Sequence, residues 1–147
     1  AGLETEARAF AERLENEYPK NTLINQLWLP TVCAALALQK GRAKEAIEEL
    51  EAAERFEKAA EFYPQYIRAL AYAKLKKEKK AVKEFEKILN HRGEAPLSAI
   101  YPLAALGKAR ATKNKEDYEK FFEFWREADK DMPALVAARK EFDELSG

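Results

Sequence analysis

Apolar residues recur at three- and four-residue spacing along almost the whole chain, the signature of amphipathic helices. Residues 3–17 place Leu3, Ala7, Phe10, Ala11 and Leu14 on one face, Pro19 stops that helix, and Asn21 offers a cap for the next. A second helix over 22–40 carries Leu23, Leu27, Val32 and Leu36, with a kink expected at Pro30, which lacks a backbone N–H. After Gly41 the run Ala43, Ala46, Ile47, Leu50, Ala53 continues in period through Phe56, Ala60 and Tyr63, so an unbroken helix is expected to about residue 62. Pro64 opens a fourth helix over 64–76. Ala81, Val82, Phe85, Ile88 and Leu89 mark a fifth over 78–91, with Gly93 suited to a left-handed end. A sixth starts near Pro96 and holds Pro102. Asn114 caps a seventh, whose Tyr118, Phe121, Phe122 and Trp125 follow i, i+3, i+4 and i+7, and Asp131 caps an eighth with Leu135, Val136, Phe142 and Leu145. Alternating strand patterns and hairpin dipeptides are absent. The pattern predicts an all-α fold of about eight helices in antiparallel pairs.

The stretch "ALALQKGRAKEAIEEL" has a counterpart in "LAYAKLKKEKKAVKEFEKIL". Ala46-Ile47 and Ala81-Val82 lie 35 residues apart, as do Leu50 and Phe85. Small residues at a hairpin crossing let two helices touch, and bulky ones wedge against the next pair. This period and these residues resemble tetratricopeptide repeats of about 34 residues. In one unit Ala69, Tyr72, Ala81 and Phe85 take the family's small and aromatic positions; in the unit before it Ala34, Ala37, Ala46 and Leu50 do, with Gly41 at the turn. "EARAFAERLENEYP" looks like a second helix alone, so the chain enters mid-repeat, and Leu106-Gly107 begins a third unit whose second helix is aromatic where alanine is expected. The resemblance implies a helical-hairpin solenoid of about three repeats, with an orphan first helix and a capping last helix over 132–145.

"LWLPTVCAALALQKGRAKEAIEELEAA", "YPQYIRALAYAKLKKEKKAVKEFEKILNHRG" and "FWREADKDMPALVAARKEFDEL" are similar to the C-terminal repeat region of bacterial eukaryotic-like Ser/Thr protein kinases and related winged-helix regulators. The likeness covers about Tyr18 to Leu145, and departs from those relatives at 54–63, which reads as charged helix where they carry a Gly- and Pro-rich loop, and around Thr112–Asn114. No kinase motif is present. Residues 1–147 are therefore expected to form a single domain of a longer bacterial signalling protein, an expectation to which the missing initiator Met adds.

Composition narrows the chemistry. The 26 basic and 26 acidic residues cancel, so no global field draws the chain to nucleic acid or an anionic membrane. No apolar run approaches the ~20 residues of a membrane span, and the acidic first segment is no signal peptide. Cys33 is the single cysteine, which excludes an internal disulfide and fits a reducing, cytoplasmic setting. One cysteine and one histidine, His91, cannot close a zinc site, and a Cys33–His91 nucleophile pair would need the two adjacent. "KLKKEKK", Lys74 to Lys80, reads as a solvated turn. No cofactor, metal or enzymatic activity is expected.

What the repeat resemblance implies is a peptide-binding groove lined by the first helix of each pair. Carried onto this chain, the groove positions are Trp28, Thr31 and Gln39; Tyr63, Tyr66, Leu70 and Lys74; and Tyr101, Ala104 and Lys108. Tyrosine suits such a surface, having an apolar body and a hydrogen-bonding tip; the alternative is that the tyrosines cover helix ends near Pro30, Pro64 and Pro102. The expected function is non-catalytic recognition of a protein or peptide segment. A structural spacer, a homodimerisation module or an engineered scaffold without a native partner are the alternatives.

Overall fold

The computed structural model describes residues 2–145, with side chains from residue 5 onward, so Leu3 lies outside the described side chains. Eight α-helices are joined by short turns, and no strand occurs among the described residues: α1 (Gly2–Glu17), α2 (Leu29–Gln39), α3 (Ala43–Glu49), α4 (Tyr63–Lys74), α5 (Glu78–Leu89), α6 (Ile100–Thr112), α7 (Lys115–Phe124) and α8 (Pro133–Glu144). A π-helical turn (Ile24–Trp28) leads into α2, a 3-10 segment (Ala52–Ala60) follows α3, and a 3-10 turn (Arg92–Glu94) follows α5. Each helix contacts the next in sequence, and α2 also touches α4 as α4 touches α6.

Local chemistry explains most boundaries. Asn21 Oδ1 accepts from the Ile24 N–H at 3.0 Å and Asn114 Oδ1 from the Glu116 N–H at 2.9 Å, each satisfying a donor at a helix start. Pro30, Pro64 and Pro133 sit in first turns, where a missing N–H costs nothing. The helical run is not broken at Pro30; instead the turn before it is π-helical, the Leu29 N–H reaching back to the Ile24 carbonyl and widening the helix just before the proline. Pro102 does not interrupt its helix, because α6 begins at Ile100 rather than near Pro96.

Three turns share one backbone device. Gly41, Lys76 and Lys113 all have positive φ, at 82°, 55° and 53°. At the first two, the Arg42 N–H bonds the Ala37 carbonyl and the Lys77 N–H bonds the Tyr72 carbonyl, both at 2.9 Å, closing the preceding helix. Gly41 is thus one beat of a pattern that returns 35 residues later at Lys76, a residue that pays for the left-handed conformation without glycine's freedom.

Three further expectations are corrected. The helix over 42–62 is not continuous: α3 ends at Glu49, and Leu50 and Glu51 bond only three residues back, to Ile47 and Glu48, starting the 3-10 segment. That tighter winding turns Ala53 and Ala60 into the core. The segment stops at two consecutive left-handed residues, Glu61 and Phe62, with φ of 47° and 68°. Gly93 is not left-handed but lies in the 3-10 turn. Asp131 does not cap α8, whose N-cap is Met132 without a side-chain bond.

The core is layered. One cluster joins α2, α3, the 3-10 segment and α4 through Leu27, Ala34, Ala46, Leu50 and Ile67. A second joins α4, α5 and α6 through Phe62, Ala69, Ala81, Phe85 and Ala104. A third joins α6, α7 and α8 through Leu106, Tyr118, Phe121 and Leu135. Ala34, Ala69 and Ala104, each 35 residues from the last, are fully buried. By contrast α1 covers little of its apolar face, and Phe10 remains 53% exposed.

At Gly107, α6 packs its bare backbone against α5. A Cβ on Gly107 would lie 2.3 Å from Cζ of Phe85, whose ring is wholly buried. Gly107→Ala is expected to cost about 1–3 kcal/mol, because the ring has no space to retreat into. Urea unfolding checks this: in a Phe85→Leu background the same substitution should cost less than in wild type, and strictly additive costs would disprove the contact.

Candidate functional site

Alternate helices α4 and α6 lean together without closing, leaving a groove of about 230 Å³. Its floor is Tyr66, Leu70 and Ala73 from α4, Phe85 from α5, and Leu103, Leu106, Gly107 and Ala111 from α6; Ala134 of α8 closes one end, and Glu78, Arg110 and Lys113 rim it. On α6 the small Ala111 leaves this space open, while Gly107 is covered by the Phe85 ring that forms part of the floor. Tyr66 packs its ring 6.1 Å from that of Phe85, and burial raises its hydroxyl pKa, so it stays neutral, with an apolar body and a polar tip.

The residues named from sequence divide. Tyr66 and Leu70 lie in the groove, and Tyr63 and Trp28, which occupy equivalent positions 35 residues apart, are both exposed at more than two-fifths of their surface. Gln39 and Lys74 are exposed at the turn end of their helices. Thr31, Tyr101 and Ala104 are corrected: all three are buried. Thr31 donates to the Leu27 carbonyl at 2.5 Å. Tyr101 donates to the His91 carbonyl at 2.5 Å and accepts from the Ala95 N–H at 3.3 Å, pinning the loop before α6. Lys108 points to the α7 side, pairing with Glu86 at 3.0 Å and Asp117 at 3.7 Å. Thr31, Tyr66 and Tyr101 lie at 35-residue intervals, buried at Thr31 and Tyr101 and half-buried at Tyr66; the exposed positions are three residues earlier, at Trp28 and Tyr63. Sequence reasoning missed Leu103, Gly107, Ala111 and Ala134, because small and aliphatic residues carry no binding signal until a neighbour leaves them uncovered.

Two ionic networks frame the groove. Behind α4, the buried Arg68 guanidinium meets Glu57, Glu84 at 3.3 Å and Glu54 at 4.0 Å, and donates to the Leu50 carbonyl at 3.3 Å, so it ties the 3-10 segment to α4 and α5. Burial holds the Glu57 carboxyl above the usual range despite Arg68 beside it. At the α8 end, Arg110 clasps Glu141 with Nε at 2.9 Å and a terminal nitrogen at 2.8 Å, and Tyr118 donates to the same carboxylate at 2.9 Å. The Arg110 hydrogen bonds hold Glu141 below its ordinary value, while burial and the Glu141 carboxylate push Tyr118 up to about 12.

Cys33 is half-buried on α2, where burial raises its thiol pKa and keeps it protonated at neutral pH. His91 Nδ1 lies 2.6 Å from the Lys87 carbonyl, which only accepts, so that nitrogen carries the proton. Among the described residues no group of three or more His, Cys, Asp or Glu side chains is placed to hold a metal ion, and no helix is long and apolar enough to cross a membrane. No protein-family model, curated protein or solved structure matches the chain.

Arg68→Met should destabilise by about 3–5 kcal/mol, since it strands Glu57 and Glu84 in the interior; adding Glu57→Gln and Glu84→Gln should recover much of the loss in chemical denaturation. Glu141 gives a pH signature. Its folded pKa is depressed, so its contribution is present above its ordinary value of 4.5 and lost as pH falls through the folded value. Wild type should exceed Glu141→Gln by on the order of 1 kcal/mol at neutral pH. That gap should shrink in thermal melts below pH 4.5. Glu57, raised by burial, acts with the opposite sign, so the difference between the two proteins, not the raw acid profile, is the test.

Proposed function

We propose that this chain is a non-catalytic recognition module, a tetratricopeptide-like helical solenoid that holds a protein or peptide segment in the α4–α6 groove. The observation that carries the reading is the groove itself: an apolar floor that accepts one or two side chains, bordered by charged residues that fix direction, on rigid helices. The 35-residue return of buried alanines and left-handed turns supports the repeat architecture. Exposed Trp28 and Tyr63 extend the surface along the preceding helices. In this reading the module is the accessory region of a larger bacterial signalling protein working in the cytoplasm.

A peptide-display library selected on the wild type tests it. Selected peptides should lose about tenfold or more in affinity for Leu70→Glu and for Ala111→Arg, which place charge on opposite walls of the groove, with helicity by circular dichroism unchanged. Peptides that bind both variants as tightly as wild type would remove the groove from the proposal. One observation favours a second reading: Phe10, Tyr18 and Leu23 leave an exposed apolar surface around α1, which a homodimer would cover. A mass in sedimentation that rises with concentration, and returns to monomer in Phe10→Ser, is its expected result.

A further inference from the structure

The formal charge of the chain is zero, but the fold does not distribute it evenly. The turns α2–α3, α4–α5 and α6–α7 fall along one edge. The Lys74 ammonium reaches over the first of them, 3.9 Å from where a Cβ on Gly41 would lie, and Ala73, Glu78 and Lys113 of the second and third meet at the groove mouth. The first turn brings Arg42 and Lys44; residues 74–80 bring five lysines; the third turn brings Lys113 and Lys115. Against them stand Glu45, Glu78, Glu116 and Asp117, of which Glu45 is taken by Arg42 at 2.8 Å and Asp117 faces Lys108 and Lys120. The acidic end of α8 lies toward the third turn, through the Arg110–Glu141 pair, so the positive charge concentrates on the first two turns. Residues 48–61, away from these turns in sequence, hold six glutamates against Arg55 and Lys58, with Glu54 and Glu57 taken by Arg68.

The lysines are placed against local stability. Lys44 lies in the first turn of α3, Lys79 and Lys80 in that of α5, and Lys115 opens α7. A helix N-terminus carries partial positive charge and disfavours cations there. Lys80 rests over the Tyr72 ring, 5.4 Å from its centroid. Glu48 and Glu119 stand four residues beyond Lys44 and Lys115, whereas Lys79 has Lys83 there, so helix stability accounts for these residues only in part and leaves their charge available to an external anion.

We propose that this basic edge docks an acidic polypeptide segment. The proposal rests on the groove reading and adds the partner's charge: aspartates and glutamates lie along the edge and an adjoining apolar side chain enters the groove at Lys113. A protein segment fits better than nucleic acid. Arg42, the one arginine in these turns, is already paired, and no exposed aromatic residue stands among the lysines to stack a base.

Fluorescence anisotropy with three labelled probes tests this: a short Asp/Glu peptide with one central leucine, the same peptide without leucine, and oligo-dT. The wild type should bind the first peptide, with affinity falling steeply as salt is raised. Lys44→Glu/Lys74→Glu/Lys79→Glu should weaken that binding about tenfold or more at low salt. The melting temperature should hold or rise, because two of the three new glutamates sit in helix first turns. Equal binding by the variant, no binding of acidic peptide to wild type at low salt, or tighter binding of oligo-dT would each overturn the proposal. Equal affinity for the leucine-free peptide, lost in the triple variant, would uphold the edge and sink the groove reading instead.

Discussion

The ring of Phe85 resting on the bare backbone of Gly107 sets the distance between α5 and α6, and much else follows from that distance. With α6 drawn in, the Tyr66 ring tilts against that of Phe85, Ala104 and Ala69 share one buried cluster, and the α4–α6 surface is left open above them. Burying a phenylalanine contributes on the order of 2–3 kcal/mol, and only a residue without a Cβ lets the ring in this far. Small residues of α6 thus serve both ends: Gly107 admits the Phe85 ring to the core, and Ala111 leaves the groove open opposite Leu70 and Ala73.

Arg68 plays the matching role for the irregular stretch that follows α3. A charged network in an interior is a poor source of net stability but a demanding one for geometry. Here the guanidinium brings Glu57 and Glu84 together and donates to the Leu50 carbonyl, which also accepts the Ala53 N–H three residues on, the tighter winding with which the 3-10 segment begins. The break at Leu50 and the bend at Glu61–Phe62 are therefore linked to a side chain on another helix.

That linkage marks the boundary of what the sequence discloses. Helical spacing and the asparagine caps at 21 and 114 are local, and both are legible because the partner of each group lies within a few residues. The 35-residue spacing of Ala46 and Ala81 is legible in the same way, and both residues are fully buried. The end of α3 was not, because apolar period continues through Phe56 and Ala60 while the deciding contact comes from Arg68. Side-chain direction failed similarly. Tyr66 and Tyr101 carry the same residue at the same repeat position, yet one floors a groove and the other is sealed beneath the loop at His91, since what covers each is the next layer. Charge was the most misleading: a balanced total concealed a separation that appears only when three distant turns are brought to one edge.

The three core clusters are separate bodies joined by shared helices, α4 between the first and second and α6 between the second and third. A chain built this way comes apart as a zipper does, from its ends toward the middle. The sparsely covered α1 is the free tab at one end, and α8, held by the Arg110 clasp, is the other. Amide protection should accordingly peak in α4–α6, where each helix is gripped on both sides. Whatever occupies the groove between those two helices would bridge the joint of two layers, and so act as a splint across the place where fraying from either end must finally stop.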